Sequence, residues 1–128
     1  TTLRKLREDI SCRVVRTLHA AGVTVLAGTC SPMPRGYPGY ALHDELELLA
    51  GCGLSSAQVL RGATLGATEL LGIEASSGTV EVGKRADLVL LDANPLADVR
   101  NLRRIRAVVL GGRLLTGSDL ARLIDKQP

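Results

Sequence analysis

The stretch 78–115, GTVEVGKRADLVLLDANPLADVRNLRRIRAVVLGGRLL, constrains the fold of this chain more than any other. After Gly72 the residue pattern changes from helical spacing to short apolar runs. These read as strands at about Thr79–Val82, Leu88–Asp92 and Ala107–Leu110, the last joined to Arg113–Leu115 through Gly111-Gly112. Two consecutive glycines suit a two-residue primed turn, because both central positions need positive φ. Asp87, at the head of the second run, reads as a structural residue that positions the strand start.

Upstream the spacing is helical. Leu3, Leu6, Ile10, Val14 and Leu18 mark one face of a helix over Leu3–Ala21, with charges between them. Gly22 stands where a left-handed cap is easiest for a residue without Cβ. Val23–Ala27 is a nearly continuous apolar run between glycines, the pattern of a buried parallel strand. The stretch 28–40, GTCSPMPRGYPGY, is a loop by its prolines and glycines. Leu42, Leu46 and Leu49 then lie on one helical face. Ser55 and Gln58 fit a capping box opening a helix that runs roughly to Leu71, and Ser118 is placed to cap a final helix. The plausible boundary near Ile73–Ser77 divides the chain into segments 1–72 and 73–128.

The totals bound the classes available. Apolar residues make up 45% and aromatics only 2%, so a core must be built from Leu, Val, Ile and Ala. No apolar run reaches the roughly 20 residues of a membrane span, and no secretory signal is visible. The chain begins at Thr1, which suggests a processed or excerpted product. The net charge of +3 favours solubility and says little about partners. Cys12, Cys30 and Cys52 form no framework spacing, so free thiols in a reducing cytoplasm are the default expectation.

The stretch 78–115, with NPLADVRN inside it, resembles the carboxyl-terminal end of metal-dependent amidohydrolases. The resemblance is to the branch of imidazolonepropionases and Xaa-Pro dipeptidase-like hydrolases, and it extends upstream through Ala20–Gly72. It implies an α/β chain: the last βα unit of a (β/α)8 barrel, followed by strands of a small β-sandwich. A complete barrel takes about 250 residues, so 128 cannot close one alone. A lone parallel strand would leave its N–H and C=O groups unpaired on both edges. Completion by a second copy, in a homodimer or higher oligomer, is therefore expected.

The resemblance also places the site. In the family the loop after the eighth barrel strand carries an aspartate that binds metal and handles the proton of the attacking water. Cys30 stands there in this chain. A thiolate favours zinc and similar soft metals but is a poor general base once bound. The family's His-x-His pair is absent; the histidines are His19 and His43. Convergence of Cys30, His43 and Asp44 would offer S, N and O donors to zinc or a similar divalent metal, with Cys30 and Asp44 as the catalytic groups. The alternative is an inert buried thiol and a helix-start histidine bonded to the loop. Arg35, Tyr37 and Tyr40 are candidates to line a substrate entrance, or simply a packed loop. His19 reads as a surface histidine and Cys52 as a small residue at a helix end. Relatives carry Ala-Thr-x-Asn-x-Ala where this chain has Gly66 at the asparagine position, a departure that removes a tethering amide.

Arg100, Arg103, Arg104 and Arg106 form a basic run. Only Tyr37 and Tyr40 are available for base stacking, which argues against nucleic acid. The expectation is a metal-dependent hydrolase of small molecules with an activated ester, amide or phosphoester bond, acting at an inter-subunit site. The competing expectation is a non-catalytic fragment, or half of a split enzyme that needs an amino-terminal partner.

Overall fold

Helix α1, Thr2–Ala20, ends where Gly22 takes φ 82° and its N–H reaches back to the His19 carbonyl at 3.0 Å. In the computed structural model residues 2–29 and 39–125 are described, with side chains over 8–29 and 39–123. Among the described residues, α2 (Tyr40–Gly51), α3 (Ser56–Ala63), α4 (Leu65–Leu71) and α5 (Gly117–Asp125) follow. The strands are β1 (Leu88–Leu91), β2 (Ile105–Leu110) and β3 (Arg113–Leu115), with a 3-10 turn at Val99–Arg103 before β2. Among the described residues, no helix is long and apolar enough to cross a membrane.

The capping box at α3 is formed. Ser55 Oγ accepts the Gln58 N–H at 3.3 Å, and Gln58 Oε1 accepts the Ser55 N–H at 2.8 Å. Two orphan donors of the helix start are thereby satisfied. The helix expected from 55 to 71 is instead two, broken at Thr64 with φ −124° and ψ −96°. The pair leans on segment 23–27. Gly62 and Gly66, one turn apart and both buried, form the contact. A Cβ at Gly66 would stand 3.0 Å from Leu26 Cδ2. Gly66 is thus also a packing residue, where the Leu26 side chain comes close.

Segment 23–29 is neither helix nor strand and belongs to no sheet among the described residues, which corrects the strand expected at 23–27. Strand character needs a neighbour to complete the ladder, and an apolar run alone does not supply one. Val25 and Ala27 are held instead by side-chain packing on the core of Leu46, Leu54, Val59 and Val99. The same holds for 79–82, where no strand forms and Val80 and Val82 lie exposed. That second expected strand is also withdrawn.

The downstream sheet is antiparallel in the order β1-β2-β3, with Leu88 opposite Val109 and Leu110 opposite Arg113. Gly111 and Gly112 turn the hairpin with φ of 56° and 83°, as a primed turn requires. Asp87 ties this turn to β1: its Oδ1 accepts the Gly111 N–H at 2.6 Å. At α5 the cap is Thr116, not Ser118. Asp119 Oδ2 accepts from both the Thr116 N–H (3.0 Å) and its hydroxyl (2.9 Å).

Cys12 and Cys52 are joined by a disulfide, which corrects the expectation of free thiols for these two. α1 lays Cys12 beside the C-cap of α2, with the Cα atoms 4.8 Å apart, inside the bridging range. Arg16 donates to the Cys52 carbonyl at 3.4 Å in the same place.

Candidate functional site

The first turns of α2 carry the acidic and imidazole groups singled out above, and the helix sends each in its own direction. Successive residues rotate by about 100° around a helix axis, so His43, Asp44 and Glu45 meet three different surroundings. Tyr40 opens the helix and is 66% exposed. Cys30, Arg35 and Tyr37 lie outside the described residues. Among the described residues, no group of three or more His, Cys, Asp or Glu side chains gathers as a metal would need.

His43 is half-buried and lines an apolar groove of about 770 Å³. The groove runs between α2, the α3–α4 pair and β1, with Leu42, Leu46, Thr64, Leu88 and Leu102 among its walls. The His43 Nδ1 is buried and has no hydrogen-bond partner among the described residues. An imidazole nitrogen withdrawn from water without a partner is costly, and a donor or a metal ion would relieve it.

Asp44 turns toward the 3-10 turn. Arg103 donates through Nη2 to Asp44 Oδ1 and through Nε to Glu47 Oε1, the latter at 2.6 Å. The two acids are three residues apart and so share one helix face. The bond to Glu47 first, and then that to Asp44, hold the Arg103 pKa above the ordinary arginine value. This fork also pins α2 to the polypeptide just before β2. Arg100 and Arg106 are paired as well, with Asp98 and Asp92. The hydrogen bonds from Arg100, side chain first, pull Asp98 below the usual carboxylate range.

Glu45 faces segment 23–29. Its Oε1 accepts the Gly28 N–H at 2.8 Å, while its Oε2 is buried without a partner among the described residues. Sequence reasoning passed over Glu45 in favour of its neighbour. The one signal available was rotation: residues 44 and 45 cannot face the same way on a helix. His19, read as a surface residue, is half-buried and takes a hydrogen bond from Gln58 Nε2 at 2.8 Å.

The Amidohydrolase family matches residues 5–115. The N-acetylglucosamine-6-phosphate deacetylase of Homo sapiens is 32% identical over 106 residues, covering 83% of this chain and 22% of that protein. The imidazolonepropionase of Symbiobacterium thermophilum is 36% identical over 77 residues, covering 59% of this chain and 18% of the relative. Among solved structures, a Xaa-Pro dipeptidase with methionine bound in its active site superposes with a TM-score of 0.75 at 27% identity. That match covers 83% of this chain and 25% of the other. The chain therefore spans a quarter or less of each of these relatives.

Proposed function

Because the chain belongs to the amidohydrolase family, we propose that it is the closing portion of a metal-dependent amide-bond hydrolase whose centre is completed by further polypeptide. The observation that carries this reading is the apolar groove beside His43, together with an apolar segment 23–27 that joins no sheet among the described residues. Both are surfaces that a barrel, or a second copy in a homo-oligomer, would cover. A folded piece with an open apolar cleft of this size is suited to docking.

His43 fits a metal in one respect, since its buried Nδ1 has no other partner among the described residues. Asp44 does not line the groove beside His43 and its Oδ1 is engaged by Arg103, so its Oδ2 would serve an ion shared with a second copy or with further polypeptide. Cys30 supplies the thiol at the position where the family's aspartate stands. A zinc ion or similar divalent metal, when bound, supplies the acidity that makes water a nucleophile near neutral pH. The chain's own part is to present these donors and to keep water out of the groove wall with leucines. Arg35, Tyr37 and Tyr40 belong to the substrate side in this reading, and the substrate is a small molecule with an activated amide or ester bond, or a phosphoester.

Purified protein tests the proposal through metal content, chelator-sensitive hydrolysis of activated amides and esters, and light scattering. Near-stoichiometric metal, with activity lost in Cys30→Ala and His43→Ala, is the expected result. A metal-free protein inert in every assembly state, alone or with an amino-terminal barrel portion supplied in trans, would overturn it in favour of a non-catalytic segment.

A further inference from the structure

We infer that the Cys12–Cys52 bridge is a redox latch: oxidised, it clamps α1 to the end of α2, and a dithiol reductant frees the helix while the rest of the fold stays formed. The inference is independent of the proposed hydrolase.

α1 does not dock as a helix held by the hydrophobic effect would. Such a helix turns its apolar stripe to the core. Here Ile10, Val14 and Leu18, spaced four apart on one face, are 44%, 50% and 44% exposed. Among residues 8–20 the half-buried ones are Cys12, Val15 and His19, which share a different face. The non-covalent contacts on that face are modest. Val15 packs on the core cluster, Arg16 donates to the Cys52 carbonyl at a long 3.4 Å, and His19 meets Gln58 at 2.8 Å. A cleft of about 180 Å³ lies between His19, Val23 and the α3 residues Gln58 and Arg61, so the end of α1 is not close-packed there. Each polar contact contributes little net, since water offers the same bonds to an undocked helix. The covalent link, across a sequence separation of 40, outweighs them. α2 and α3 do not depend on it, because Leu46, Leu54, Val59 and Val99 pack them together and Arg103 ties α2 to the 3-10 turn. Gly22, at φ 82°, is the joint between α1 and the segment that packs on this core.

Cys52 is 5% exposed and Cys12 is half-buried, so Cys12 is the end that a reductant thiolate reaches. Attack on Cys12 Sγ forms a mixed disulfide, and the electron pair of the broken S–S bond leaves on Cys52 Sγ, which takes up a proton. The second thiol of the reductant then attacks its own sulfur in the mixed disulfide. This releases Cys12 as a thiol and the reductant as a cyclic disulfide. Two electrons and two protons pass from the dithiol to the protein.

Amide hydrogen exchange, read by peptide mass spectrometry with and without dithiothreitol, tests the latch. Helices in proteins owe most of their stability to tertiary packing, so an undocked α1 loses protection. Reduction is expected to speed exchange at residues 8–20 by about 30-fold or more, the equilibrium counterpart of the lower end of a bridge's usual contribution. The β2 amides should keep their protection. Cys12→Ser should show the fast α1 exchange without reductant and no response to it. Unchanged α1 exchange on reduction overturns the inference, since the non-covalent contacts would then suffice. Loss of protection in β2 together with α1 overturns it too, because the bridge would then support the whole fold. Alkylation of Cys12 in the native chain before any reductant is added would do the same. Should Cys12→Ser fail to fold, the oxidised and reduced forms of the unsubstituted chain decide by the same two readings.

Discussion

Gly62 lies so close to Val25 that a Cβ on it would stand 2.3 Å from the Val25 carbonyl oxygen. The atom in the way is backbone, which cannot swing aside as a side chain does. Alanine is the better helix former by about 1 kcal/mol, so propensity alone predicts that Gly62→Ala stabilises. Overpacking of a rigid contact costs typically 1–3 kcal/mol and grows as the contact shortens. We expect the clash to win, with Gly62→Ala less stable by about 2 kcal/mol in urea unfolding. Gly51→Ala, where a Cβ meets nothing within 4 Å, is the control and should be neutral or slightly stabilising. Equal behaviour of the two variants would show that α3 does not rest on segment 23–27.

The Cys12–Cys52 bridge closes a loop across a sequence separation of 40. In the chain-entropy account a loop of that size is worth about 4 kcal/mol, and measured values run from roughly 2 to 4. Reduction, or the double substitution Cys12→Ser with Cys52→Ser, should lower unfolding stability by about 2–4 kcal/mol. Thiol titration of the native, unreduced protein should count one free cysteine. Finding three would remove the bridge from the account.

Much of the local structure was written plainly in the residues, and the failures share a cause. The capping box of Ser55 and Gln58, the glycine pair of the hairpin, and Gly22 at the end of α1 are decided within a few residues. Sequence patterns read such features well because the partners are near at hand. Residues 23–27 and 79–82 have the composition of strands, yet a strand exists only when another pairs with it. The bridge between Cys12 and Cys52 depends on how α1 lies across α2, which no cysteine spacing encodes. At the site, the histidine and acid of α2 were picked out by type. That Asp44 serves Arg103 while Glu45 serves Gly28 follows from packing around the helix, and rotation alone could not choose between them.

Arg103 joins Asp44 and Glu47, and all three side chains keep some exposure, so their contribution is open to screening by salt. Arg103→Ala should lower stability most at low ionic strength. The deficit should shrink as salt is raised toward about 1 M, where the Debye length falls to roughly 3 Å. Arg103→Lys keeps the charge and loses the planar fork, so it should fall between the two. Thermal unfolding of the three proteins across a salt series checks this. A deficit in Arg103→Ala that salt leaves untouched would mean that the alkyl stem, not the ion pair, matters there.

Asp119 gives the acid side of the stability curve its sign. Its pKa is pulled below the ordinary 3.8 chiefly by the Thr116 backbone N–H, then by the Thr116 hydroxyl, both of which bond the charged form. A carboxyl with a depressed folded-state pKa binds fewer protons folded than unfolded, so lower pH favours unfolding. Its contribution is present above the ordinary value and is lost as pH falls through the folded value. Asp119→Asn keeps an oxygen for one of these bonds but cannot ionise. The stability gap between the native chain and Asp119→Asn should therefore be constant near neutrality and narrow as pH drops below about 3.8. Asp98, held low by Arg100, acts with the same sign and is present in both proteins, so the comparison isolates Asp119. A gap that widens on acidification would show that the cap at Thr116 does not depend on the carboxylate charge.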